Sequence, residues 1–126
     1  MANNFRNLEI WKEGYQLAVD LYRLTEGFPK ENNSLISQIR RAAISIPLNI
    51  AEGCSRFSKN AFLNFLSYSY GSLLELEVLM HLSKDLNYMS EEEHEEFIKR
   101  IEVLTKMVYT FMYRVEKQRW LNWFKD

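Results

Sequence analysis

Among its 126 residues the sequence holds one cysteine, two prolines and four glycines. A single cysteine cannot close an intramolecular disulfide, so nothing argues for an oxidising compartment. Turns draw on glycine and proline. So few of both leave room for only a few connections, which predicts long helices. An excess of one charge is also missing. The 16 Lys+Arg and 17 Asp+Glu give a net charge of -1, which is not the composition of a generic polyanion binder. No apolar leader opens the chain at Met1–Asn7. The nearest approach to a membrane span, Ala61–Ser83, contains Asn64, Glu75, Glu77 and His81. Carboxylates near mid-span are costly in lipid, so a buried soluble helix is expected there, in a cytoplasmic protein with no membrane partner.

What is present is a length suited to one domain, 47% hydrophobic residues and four helical patterns. The first helix is expected over about residues 8–26. It carries two adjacent apolar seams, one of Leu8, Trp11, Tyr15, Ala18 and Tyr22, the other of Ile10, Gly14, Leu17, Leu21 and Leu24. Gly27 and Pro29 stop it. The second, about 34–56, follows Asn32, Asn33 and Ser34 as possible caps. Its seam is Ile36, Ile39, Ala43, Ile46 and Ile50, which keeps phase across Pro47 and so predicts one kinked helix rather than a break. The third runs from Ser58 as cap over about 59–85. The fourth, about 91–118, opens with Ser90 and Glu93 in capping-box positions. Short connections between four helices predict an all-α, up-down-up-down antiparallel bundle spanning 1–126, with an aromatic tail at 119–126. Gly14 and Gly71 fall inside helices, where glycine costs stability, and are expected to mark close helix contacts.

Charge is segregated along the chain. Residues 1–60 carry eight basic and six acidic side chains, residues 61–97 one and eight, and residues 98–126 seven and three. The near-zero total therefore hides an acidic middle and does not exclude a local basic surface. Arg40, Arg41, Arg56, Lys59, Lys106, Arg114 and Lys117 are the candidate nucleic-acid contacts. Solvated helix ends matched to the helix dipole are the competing explanation.

Signatures of catalysis are thin. There is no Gly-rich phosphate loop, nucleophile elbow or cysteine pair. Cys54 reads as structural. Glu91-x-x-His94 occurs once, whereas a di-iron bundle needs the pattern twice. His81 reads as a partly buried histidine. No catalytic residue, metal or cofactor is expected.

The second helix is the informative element. An advance of about 100° per residue gathers Gln38, Arg41, Ser45, Asn49, Glu52 and Arg56 into one stripe about 80° wide. A further face, with Arg40, Ile44, Pro47 and Ala51, is uncharged from Ala42 to Ala51. Either the bundle buries this helix and satisfies the stripe through partners such as Glu75, or one of the two faces meets another subunit or a ligand. A small bundle can hardly bury one helix all round, which favours a subunit interface.

The run Gln38-Ile39-Arg40-Arg41-Ala42-Ala43-Ile44-Ser45-Ile46-Pro47-Leu48-Asn49-Ile50-Ala51-Glu52-Gly53 resembles the hallmark of the bacterial four helix bundle proteins, also called large-subunit ribosomal RNA intervening-sequence proteins. Leu8, Trp11, Phe28-Pro29, Gly71-Ser72 and Glu75 support the resemblance, which covers about residues 7–115. It implies a ring-like homo-oligomer, a pentamer, with Gln38, Arg41, Ser45, Asn49, Glu52 and Gly53 as shared polar positions. It also implies similarity to the accessory variability proteins of diversity-generating retroelements, basic bundles that work with a reverse transcriptase and its RNA. The near-neutral charge of this chain departs from those relatives. A non-enzymatic scaffold or adaptor, associated with RNA or a nucleic-acid-processing partner, is the expected function, and direct electrostatic RNA or DNA binding is the alternative.

Overall fold

The computed structural model describes residues 4–118. Four helices make the fold: α1 Glu9–Glu26, α2 Asn33–Cys54, α3 Lys59–Asp85 and α4 Glu91–Lys117. Single helical turns at Phe5–Asn7 and Lys30–Asn32 lead into α1 and α2, and no strand occurs among the described residues. The bundle is all-α, as the periodicity predicts. What was expected of the tail, 119–126, lies outside the described residues.

Three of the four helices start on a side-chain cap, α1 alone starting from Leu8 without one. Asn32 accepts from the Leu35 amide at 3.4 Å, and Ser58 from the Ala61 amide at 3.0 Å. Ser90 and Glu93 form the predicted reciprocal box. α2 ends at Cys54, two residues earlier than expected, because the Ser55 and Arg56 amides turn back onto the Glu52 and Gly53 carbonyls. The chain then becomes extended at Ser58, as an N-cap requires. Asn87 carries the turn between α3 and α4 at a φ of 64°, a left-handed conformation that asparagine tolerates.

α2 runs unbroken through Pro47. Proline has no N–H to offer the Ala43 carbonyl, and side chains brace the turn beside that gap. The Ser69 hydroxyl of α3 donates to the Ile46 carbonyl at 2.9 Å, and the Asn49 amide donates to the Ser45 carbonyl at 2.8 Å.

The core is the set of residues the seams turn inward. Leu17, Leu21, Ile39, Ile46, Ile50, Phe62, Leu66, Leu73, Leu76, Met80, Ile101 and Val108 are almost fully buried. Each such side chain contributes about 1.5–3 kcal/mol relative to exposure. Packing is closest between sequential neighbours and loosest between α1 and α4. That last seam is crossed by an ion pair between Arg100 and Asp20 at 2.9 Å.

Two sequence expectations are corrected. The α1 seam of Tyr15 and Tyr22 is not core, since both rings stay exposed while Ile10, Leu17 and Leu21 fill the interior. A wide apolar stripe is more than one helix can bury against two neighbours. Gly71 marks no close contact: a Cβ there would meet nothing within 4 Å. His81 is half-exposed.

Candidate interaction surfaces

The polar stripe of α2 lies along the seam with α3. Ser45 and Asn49 are half-buried, while Gln38, Arg41, Glu52 and Arg56 are exposed. Ser45 Oγ shares a hydrogen bond of 2.8 Å with Ser72 Oγ, and the Asn49 amide donates to the same Ser45 oxygen at 2.8 Å. Glu52 pairs with Arg56 one turn along at 2.6 Å. The stripe therefore satisfies its middle and lower residues internally. At its upper end Gln38, Arg41, Ser45, Ser72 and Glu75 line a small polar cleft of about 230 Å³. Gly53, the last of the shared positions, is buried: an added Cβ would lie 2.7 Å from Phe62 Cδ1 and 3.1 Å from Phe65 Cβ. It sets the approach of α2 to α3 and presents no surface.

The uncharged face of α2 forms a different feature. With α1 it walls an apolar groove of about 510 Å³, lined by Trp11, Tyr15, Val19, Tyr22, Ile44, Pro47, Leu48 and Ala51. Leu48 is 61% exposed and Tyr15 51%. Phe5 closes one end edge-on to Trp11, with ring centroids 5.0 Å apart. Half of this groove was legible in the missing charge from Ala42 to Ala51. The α1 half was not, because its aromatic seam has the same periodicity as a core seam.

A second apolar surface escaped the sequence reading. Leu74, Val78 and Leu82 recur at steps of four on α3, and all three are exposed, Val78 by 65%. Its signal is the step of four itself, a second apolar seam beside the buried one of Leu73, Leu76 and Met80.

Several of the candidate nucleic-acid contacts have structural work inside the bundle. Arg40 donates to Thr25 Oγ1 at 2.8 Å and to the Tyr22 carbonyl at 3.1 Å, with its guanidinium over the Tyr22 ring. Arg56 pairs with Glu52 and covers Phe65. Lys59 donates to the Glu116 and Gln118 carbonyls at 3.1 and 2.8 Å, neutralising the α4 C-terminus. Lys117 lies over Tyr113. No hydrogen bond or ion pair joins Arg41, Lys106 or Arg114 to another described residue. Arg41 lines the polar cleft, and Lys106 and Arg114 line a groove between α1 and α4 with Leu8 and Glu9.

The lone thiol is poorly placed for nucleophilic chemistry. Cys54 is buried, and desolvation pushes its pKa up to about 11. At neutral pH it is a protonated thiol, whereas a nucleophile must be a thiolate.

Comparison with known proteins decides the family. The description 23S rRNA-intervening sequence protein matches residues 6–110, which includes the whole Gln38–Gly53 run. The chain belongs to the 23S rRNA-intervening sequence protein family. Among solved structures, this family member is similar to a protein with unknown function from the S23 ribosomal protein family of Bacteroides thetaiotaomicron. The TM-score is 0.77 at 22% identity, covering 82% of this chain and 97% of that one. At that identity the likeness speaks for the fold alone. No curated protein matches the chain. No helix among the described residues is long and apolar enough to cross a membrane.

Proposed function

We propose that this intervening-sequence protein is a non-enzymatic homo-oligomeric scaffold or adaptor of the cytoplasm, assembled as a pentameric ring and working beside RNA or a nucleic-acid-processing partner. One observation carries the assembly: the apolar groove between α1 and α2, whose walls include Leu48 at 61% exposure. Contiguous exposed apolar surface of this kind marks an interaction site on a soluble protein. The stripe Leu74, Val78 and Leu82 on α3 supplies a second surface, built from a different helix. Two unlike apolar surfaces suit a head-to-tail contact, which closes into a ring when the rotation per subunit allows. Family membership supports the RNA association through the family's name. Light scattering tests the assembly, and a monomer at micromolar concentration contradicts it.

Direct electrostatic binding of RNA or DNA is the second reading. It is favoured by Arg41, Lys106 and Arg114, whose charges are not consumed by the bundle. Such binding weakens steeply as salt rises. A structured RNA that shows no affinity even at low salt contradicts it.

A further inference from the structure

His81 lies on α3 and His94 on α4. They sit at matching distances on either side of the α3–α4 turn, so antiparallel packing brings them side by side. His81 Nδ1 lies 2.9 Å from His94 Nε2, and the ring centroids are 5.1 Å apart. On the far side of His81, Nε2 lies 3.6 Å from Glu77 Oε2. At that distance the carboxylate lies close to the outer edge of the ring without hydrogen bonding to it, and either of the two facing nitrogens can be the donor. One proton bridges the gap between the two nitrogens.

We propose that this pair is a divalent transition-metal site bridging α3 and α4, with His81 Nδ1 and His94 Nε2 as its protein ligands. Two imidazoles at right angles on a copper or nickel ion, with bonds of about 2.0 Å, hold their nitrogens about 2.8 Å apart. On a tetrahedral zinc the separation is about 3.3 Å. The observed 2.9 Å brings the nitrogens into this range, and because the rings meet nearly end to end, each exposed ring must turn so that its lone pair leaves the N–N line and aims at the shared ion. Entry of the metal costs no net proton. The bridging proton passes to the outer nitrogen of whichever ring carries it, which leaves both facing nitrogens as ligands on neutral rings.

Glu77, 3.6 Å from His81 Nε2, is placed to close onto the outer ring N–H once the metal is bound. A carboxylate that receives the second ring N–H fixes the tautomer and orientation of a metal-bound histidine. The surrounding charge favours a cation, because residues 61–97 hold eight carboxylates and one lysine. That lysine, Lys84, is engaged by Glu91 at 3.3 Å. Among the described residues no group of three His, Cys, Asp or Glu side chains gathers around one point, so water completes the coordination shell. The open face also leaves room for a ligand from outside the chain.

Titration calorimetry of tag-free protein with Cu²⁺, Ni²⁺ and Zn²⁺ tests the site. The expected result is one ion per chain, copper binding tightest of the three. His81→Gln and His94→Gln each weaken binding at least tenfold. Glu77→Gln weakens it by about tenfold while both ligands remain, the usual cost of losing such an outer carboxylate. Zinc is also expected to raise the thermal midpoint of the wild type and not that of the double variant, because the ion binds only the folded pair. Equal affinity for all three metals in wild type and the double variant H81Q/H94Q would overturn the proposal. Full affinity in Glu77→Gln would overturn the part assigned to Glu77.

Discussion

Gly53 and Phe62 meet so closely that a single methyl group on the glycine would lie 2.7 Å from the ring. Phe62 cannot yield easily, because it is fully buried and packs edge-on to Phe111 at 5.9 Å. Gly53→Ala is therefore expected to destabilise the bundle by about 1–3 kcal/mol, the range for overfilling a packed core. Urea denaturation followed by circular dichroism measures it. An unchanged midpoint would mean that α2 and α3 can separate without cost.

Gly71 predicts the opposite. Its position is exposed and helical, with open space where a side chain would go. Gly71→Ala should stabilise by about 0.5–1 kcal/mol, by lowering the conformational entropy of the unfolded chain without a clash. The same denaturation experiment reads both variants, so the two glycines form an internal control.

Most of the fold was legible because it depends on local signals. Ser58 and the Ser90–Glu93 box start helices, Gly27 and Pro29 stop one, and the isoleucine seam of α2 holds phase across Pro47. The candidate surfaces were only half legible. The uncharged back of α2 announced itself, since polar residues are the default on an outer face. Tyr15 and Tyr22 misled, because period alone cannot say which of two apolar seams a bundle buries. Gly71 misled for a related reason: a helical glycine shows its cost in sequence but not its neighbours. The His81–His94 pair depends on the register of two helices across a turn.

Cys54 ties stability to alkaline pH. Burial raises its pKa from 9.0 to about 11. Below pH 9 the thiol is protonated in both states and costs nothing. As pH rises from about 9 towards 11 the unfolded chain releases the proton first, so the folded state loses stability across that window. Cys54→Ala should flatten this alkaline slope. At pH 7.5 the native thiol should react slowly with iodoacetamide and quickly once the chain is unfolded. Rapid native modification would contradict the burial.

The electrostatic reading makes a residue-level prediction. If Arg41 contacts a phosphate, Arg41→Ala should weaken binding of a structured RNA at every sequence tested and reduce the salt slope by about one. Arg40→Ala should act differently, lowering stability through its lost bonds to Thr25 and Tyr22. Filter binding across a salt series, with denaturation alongside, separates the two.

The assembly claim meets its most direct test in the mass of the protein in solution. Light scattering at micromolar concentration should give a pentamer for the wild type. Leu48→Glu in the groove and Val78→Glu on the α3 stripe should each lower the mass towards one chain while helicity is retained, since both side chains are more than half exposed. A wild-type monomer, or a pentamer indifferent to both substitutions, would contradict the account.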